Sequence, residues 1–272
     1  MSSYATSNTI EFFKDANCTD KIATWTETDG KFNVSYTTTE SGGYIMSIVM
    51  TESGLSEINT SNGHHVLILI KGKAEFSTDG NSYIFHERAS FIPNPKLSAT
   101  VKALTNCHII EFRWDMRDGD EELMAEYKTQ YPHIQIYRNA KQYRDRNKSE
   151  KTISRSAVDQ RIIPRFCFGS VETYGIDAVK SHDHPMLDQY FFSFPENEMD
   201  VLIDFKPYHM SGGELLYIPL GSMYGVDIGE GEHCHYLWID FYPDNDEALK
   251  RLDSAHIATG KHVEFNEKGE RK

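Results

Sequence analysis

FIPNPKLSATVKALTNCHIIEFRWDM (residues 91–116) returns later in the chain as YIPLGSMYGVDIGEGEHCHYLWIDFY (217–242). Each copy runs aromatic-Ile-Pro, a turn region, Cys-His, then an apolar-aromatic strand closed by an acidic stretch. Pro93 corresponds to Pro219 and Cys107-His108 to Cys234-His235, with one residue of difference in the gap. Features matched in this order make an internal repeat, so each copy reads as one structural unit. An acidic, helix-forming segment follows each copy. DGDEELMAEYKTQY (118–131) puts Leu123, Met124 and Tyr127 on one face, and DNDEALKRLDSAH (244–256) does the same with Leu249 and Leu252. Both open on acidic residues, which the helix dipole favours at an N-terminus.

The rest of the chain has strand character. HHVLILIKGKAEFSTDGNSYIF (64–85) is rich in β-branched and aromatic residues, and Asp79-Gly80 between two apolar runs is a strong hairpin signal. Together with the repeat this predicts an all-β chain of two tandem jelly-roll barrels, each followed by a short C-terminal helix. Between the copies, RNAKQYRDRNKSEK (138–151) carries six basic and two acidic residues. It reads as an exposed linker, with a basic patch for an anionic partner as the alternative. The expected domains are therefore 1–140 and 155–272.

The 272 residues suffice for one large or two ordinary domains with a substantial core. Hydrophobic residues make up 39% and charged residues 25%, a globular balance rather than a disordered one. A formal charge of -13 argues against nucleic acid, whose binders need clustered Lys and Arg to displace counterions. Cys18, Cys107, Cys167 and Cys234 are far apart and form no CxxC pair, so neither a structural zinc nor a redox motif follows from them. The first residues lack a basic n-region and an apolar run, and no window approaches a membrane span. The expectation is a cytoplasmic protein with reduced thiols, a small-molecule substrate, no membrane or nucleic-acid partner, and homo-oligomerisation as an open option.

Chemistry concentrates in KSHDHPMLDQYFF (180–192). On a strand, His182 and His184 project to one face, and two imidazoles with open positions suit Fe, Mn, Ni, Zn or Co. Asp183 faces the other way, as does Asp188 if the strand is regular. His233 and His235 share the same i, i+2 spacing. Their place at the entrance to the final strand points to a wall role rather than a ligand role. His64 and His65 open a strand with no His-x-His before it. His209 falls in KPYHMSGG, read as an exposed turn.

These residues resemble the cupin superfamily, whose two motifs are His-x-His followed by Glu, and Pro-x-Gly-x-x-His. The resemblance lies in SHDHPMLDQYFF and YIPLGSMYGV. It implies His182 and His184 as metal ligands, puts Gln189 at the glutamate position and puts Tyr224 at the last histidine. Gln189 is neutral and offers only a carbonyl oxygen. Tyr224 ligates only as phenolate, so the metal must depress a pKa of about 10. The implied set is His182, His184, Gln189 and Tyr224 around a divalent ion (Zn, Fe, Mn or Ni), with no complete site in the N-terminal barrel.

HDHPMLDQYFFSF and HYLWIDF further resemble the two-barrel 5-dehydro-4-deoxy-D-glucuronate isomerases. That likeness implies isomerisation of a sugar- or uronate-like substrate, with the metal as Lewis acid and Tyr224, if not a ligand, as general acid or base. Tyr190, Tyr217, Tyr236 and Trp238 are then expected to line the interior. An Fe- or Ni-dependent dioxygenase acting on a small carboxylate stays open, as does a non-catalytic ligand-sensing or structural protein.

Overall fold

The computed structural model describes strand backbone at 4–6, 22–28, 31–37, 45–51 and 57–60, and then residues 63–272 except 115, 185, 186, 219, 220 and 243. Side chains enter from Gly63 onward, those of 113, 114, 188, 215, 217, 251 and 252 aside. The motif residue Pro219, the side chains of Asp188 and Tyr217, and Cys18 thus lie outside the described residues.

The chain is mostly β and divides into two compact units. One comprises 20–139 and 161–164; the other comprises 1–19, 140–160 and 165–272. We call them the N-unit and the C-unit. Among the described residues, each has a seven-stranded and a four-stranded antiparallel sheet. The strand orders correspond. In the C-unit, Glu214–Ile218, Asp188–Ser193, His233–Phe241, Phe166–Tyr174 and Ile153–Val158 follow one another across the large sheet. In the N-unit the same places are taken by Ala89–Ile92, His64–Lys71, Cys107–Trp114, Ile45–Thr51 and Lys31–Thr37. The repeat read in the sequence is thus a repeat of topology.

Each pair of sheets shares one core. In the N-unit Phe76, Phe85 and Phe91 cluster with Leu67, Leu69 and Val101. In the C-unit Phe191, Tyr236 and Trp238 of the large sheet meet Val201, Tyr224 and Val226 of the small one. The opposite face of the large C-unit sheet is also covered, by Phe166, Phe168, Tyr190 and Phe241. Burial on both faces explains why FCFGSVETY and HCHYLWIDF read as continuous runs instead of alternating. The 74–85 hairpin turns on Asp79 and Gly80, both at positive φ, the conformation a two-residue hairpin requires.

Helices span Asp120–Tyr127 and Asn245–Ala255. In the first, Leu123, Met124 and Tyr127 are only half buried, and the fully buried residue is Asp120. Its Oδ2 is 3.0 Å from His64 Nε2 and accepts the Arg117 backbone N–H at 2.8 Å. The helix is therefore tethered by a polar pair rather than by an apolar face.

The basic stretch 138–151 is not an exposed linker, because Lys141–Tyr143 is a strand of the large C-unit sheet with Gln142 and Tyr143 buried. Apolar periodicity cannot reveal a three-residue edge strand. KPYHMSGG is not a turn either: Lys206–Ser211 pairs with Glu198–Ile203. The turn lies before it, where Asp204 and Phe205 take positive φ. His209 is exposed, between Asp200 Oδ1 at 2.9 Å and Glu198 Oε2 at 3.0 Å.

Candidate functional site

His182 ends the Asp177–His182 strand, and His184 lies just past it. A bulge between Val179 and His182 breaks the alternation, so the two rings converge through a local irregularity rather than through regular strand spacing. Gly225 makes room for that bulge: a Cβ there would lie 2.7 Å from Ser181 Oγ and 2.9 Å from the Val179 carbonyl oxygen.

Tyr224, paired with His182 across the ladder, places its hydroxyl between the imidazoles. Its Oη is 2.9 Å from His182 Nε2 and 2.8 Å from His184 Nε2. The hydrogen-bond network assigns the protons for the neutral rings. His182 Nδ1 is 2.7 Å from the Lys180 carbonyl, an acceptor only, so Nδ1–H donates there and Nε2 carries a lone pair. The Tyr224 O–H therefore donates to His182, and His184 Nε2–H donates to Tyr224. With both rings neutral, the three groups form one directional proton chain.

Gln189 and Phe191 face the same interior, whereas strand alternation carries Tyr190 to the opposite face, edge-on to Phe241 at 6.4 Å. Tyr190 is thus not an interior aromatic; Tyr236 and Trp238 are. Gln189 Nε2 donates to Asp240 Oδ1 at 2.8 Å across a directly paired position. Asp240 belongs to neither motif, yet it returns to the cavity the carboxylate that position 189 lacks. Its signal in the sequence was faint, a lone acid among the apolar residues of the last strand.

His182, His184, Gln189, Tyr224 and Asp240 all line one cavity with a free volume of about 30 Å³. A single water needs about 10–15 Å³ on the same measure, so the space suits an ion with a small ligand. Two polar atoms on its wall, Gln189 Oε1 and Trp238 Nε1, are buried without a hydrogen-bond partner. Both are free to bind a ligand or water that enters the cavity.

The former linker contributes Tyr143, Asp145 and Lys148. Lys148 Nζ is 2.7 Å from Asp145 Oδ2. Burial opposes ionisation of Asp145, but Lys148 and the Asn147 backbone N–H outweigh it and hold the carboxyl at about 2. Burial, reinforced by nearby Asp145, pushes the Tyr143 phenol well above its usual value, and burial does the same to Tyr236. Both stay neutral donors. His256, past the second helix, closes the cavity against Tyr143 at 4.2 Å. A second chamber of about 520 Å³ shares Asp145 and His256 with this cavity and carries Arg144 and Arg146.

The other histidines are also placed. His65 Nδ1 is 3.3 Å from Glu111 Oε1 in the N-unit, and His64 meets Asp120 as described. His233 and His235 lie on the opposite face of the large sheet from the cavity and form a cluster with Glu172 that is able to hold a metal ion. Burial disfavours the Glu172 carboxylate, yet His235, His233 and Arg155 together hold its pKa at about 2.

No family model matches the chain, and no curated protein does. Solved structures do match. AerE from Microcystis aeruginosa superimposes with a TM-score of 0.61 at 6% identity, over 81% of this chain and 97% of its own. A cupin 2 conserved barrel domain protein from Leptotrichia buccalis gives 0.50 at 14% identity, over 84% and 91%. The fold is cupin-like. An oxalate decarboxylase from Lactobacillus farciminis, solved as a formate complex, gives 0.57 at 11% identity over 88% of both chains. At such identities the cupin likeness is one of architecture. No helix among the described residues is long and apolar enough to cross a membrane.

Proposed function

We propose that the protein is a bicupin, two tandem jelly-roll barrels, whose C-terminal barrel is a metal-dependent enzyme. The reaction is a proton shift beside the carbonyl of a small sugar- or uronate-like acid. The observation that carries this reading is the Tyr224 hydroxyl held between two converging imidazole Nε2 atoms in a cavity with unmet polar groups.

The residues fit a divalent ion. His182 already presents an Nε2 lone pair, with Nδ1–H fixed on a carbonyl, the arrangement that orients metal-bound imidazoles. His184 requires only a change of tautomer, and the Gln189 carbonyl oxygen is unused. The ligands are then His182, His184 and Gln189, with Tyr224 as either phenolate ligand or proton carrier. When bound, the ion supplies Lewis acidity to the substrate carbonyl.

This chain's own groups do the rest. With both imidazole Nε2 atoms engaged as ligands, Tyr224 would release its phenol proton to solvent and act as phenolate: it would accept the proton from the hydroxyl-bearing carbon beside the carbonyl and return it to the carbonyl carbon, while the hydroxyl proton passes to the carbonyl oxygen. The sum is an isomerisation that balances without an oxidant. The neutral phenols of Tyr143 and Tyr236 and the Trp238 N–H donate to substrate oxygens. Arg144 and Arg146 in the outer chamber attract the carboxylate.

The test is to reconstitute the protein with Mn, Fe, Ni or Zn and incubate it with D-glucuronate or D-galacturonate in D₂O. Ketose formation with deuterium uptake is expected, reduced about 10²–10⁴-fold in Tyr224→Phe. Absence of exchange with every metal would remove the isomerase reading. The small free volume favours a second reading, an Fe- or Ni-dependent oxygenase acting on a compact carboxylate. Fe(II)-dependent oxygen uptake with oxalate would select it.

A further inference from the structure

We propose that Glu172, His233, His235 and Glu196 form a second metal site, structural in character, on the outer face of the large C-unit sheet. Strand register builds it. His233 and His235 lie at i and i+2 of the last strand, and Glu172 is paired directly with His235 on the neighbouring one. Cys234, Tyr236 and Trp238, which alternate with them, face the core instead. The site is therefore separate from the Tyr224 cavity.

Its dimensions match a four-coordinate ion. Glu172 Oε1 is 3.4 Å from His233 Nε2 and 3.9 Å from His235 Nδ1, and one ligand atom from each residue lies within 4.8 Å of the others. A tetrahedral zinc with bonds of about 2.0–2.1 Å holds its ligand atoms roughly 3.3 Å apart. Small side-chain adjustments close that gap. Glu196 Oε1, 2.7 Å from His235 Nδ1, supplies a fourth donor from the solvent side. His233 Nε2 is buried and aimed into the cluster, where Glu172 Oε1 at 3.4 Å is close but outside good hydrogen-bond geometry.

The surroundings hold these groups in place. Arg155 Nη1 binds Glu172 Oε2 at 2.8 Å and leaves Oε1 toward the histidines. Tyr174 stacks on His233 at 3.8 Å, and Phe194 covers His235 at 4.4 Å. The His235 backbone N–H is bound by Asn197 at 2.7 Å, which fixes the turn that carries Glu196. Two imidazoles and two carboxylates favour Zn(II), Co(II) or Ni(II) over Mg(II) or Ca(II). Four protein ligands leave no open position, so the ion ties the 194–197 turn to two strands rather than serving catalysis.

The experiment is metal stoichiometry by mass spectrometry after chelator treatment and reloading with Zn(II), with melting temperature as a second readout. It compares the wild type, His184→Ala and the conservative His233→Gln and Glu172→Gln. The His184→Ala protein is expected to keep one zinc and the zinc-induced rise in melting temperature. The other two are expected to lose that zinc and that rise while keeping the wild-type circular dichroism spectrum. Reloading with Co(II) should give the intense visible bands of a tetrahedral ion in His184→Ala and not in His233→Gln. The proposal is overturned if His184→Ala holds no zinc, or if His233→Gln and Glu172→Gln bind as much as the wild type. Because His184→Ala already lacks the cavity site, failure here is distinguishable from failure of the enzyme reading.

Discussion

At the scale of single residues, Gln189 and Tyr224 change meaning once their partners are known. Gln189 donates to the buried Asp240 carboxylate, so an amide is the side chain that lets an acid persist beside it. Gln189→Glu would put two carboxylates together and destabilise the metal-free protein by about 3 kcal/mol. Loading with a divalent ion should recover most of that loss, visible as a larger metal-induced shift in melting temperature than in the wild type. An equal shift in both would place residue 189 outside the coordination sphere. Tyr224→Phe removes a hydroxyl shared by two imidazoles and should cost about 1–3 kcal/mol by denaturant titration. The paired histidines and Tyr224 were legible because they sit inside contiguous motifs. Asp240 and Glu172 were not, because what makes them significant is a partner across a strand ladder, and a linear sequence does not state register.

At the scale of elements, the site depends on one irregularity. The bulge that brings His182 to Tyr224 requires the bare Cα of Gly225. Gly225→Ala should cost about 1–3 kcal/mol and weaken metal retention in the cavity, measured as an increased metal dissociation rate. An unchanged rate would mean that the bulge does not govern the site. The segment after the former linker is pinned by Asp177, whose Oδ2 accepts from the hydroxyls of Ser149, Thr152 and Thr173 at 2.7–2.9 Å. Burial disfavours its charge, but those hydroxyls prevail and hold its pKa below the usual 3.8. Because the folded value is the depressed one, Asp177 stabilises the fold above about pH 4, and that contribution is lost as pH falls through the folded value. Asp177→Asn should therefore flatten the acid limb of a stability–pH curve, and a parallel curve would contradict this. Strand existence was readable from β-branched runs and Asp-Gly turns. The linker was misread because its polar residues gave no sign that Tyr143 and Lys148 turn inward.

At the scale of the whole molecule, the topology is duplicated and the proposed site lies in the C-terminal copy. Where the C-unit pairs His182 with Tyr224, the N-unit pairs Thr60 with Ala99 at the corresponding register. Its core is instead filled by Phe76, Phe85 and Phe91. The buried His64–Asp120 pair ties the helix to that unit, and His64→Ala should cost about 3 kcal/mol by removing one of the groups that hold the buried Asp120 carboxylate. A loss below about 1 kcal/mol in thermal or denaturant unfolding would contradict that role. The repeat itself was the most readable feature of the chain, because proline, cysteine and histidine keep their order even where pairing residues diverge. In the proposed site, His182 and His184 hold a divalent ion beside Tyr224. The most direct test is metal content after reconstitution, comparing the wild type with the His182→Ala/His184→Ala double variant. The double variant is expected to lose one equivalent while keeping its β-sheet spectrum. Equal metal content in the two proteins would contradict it.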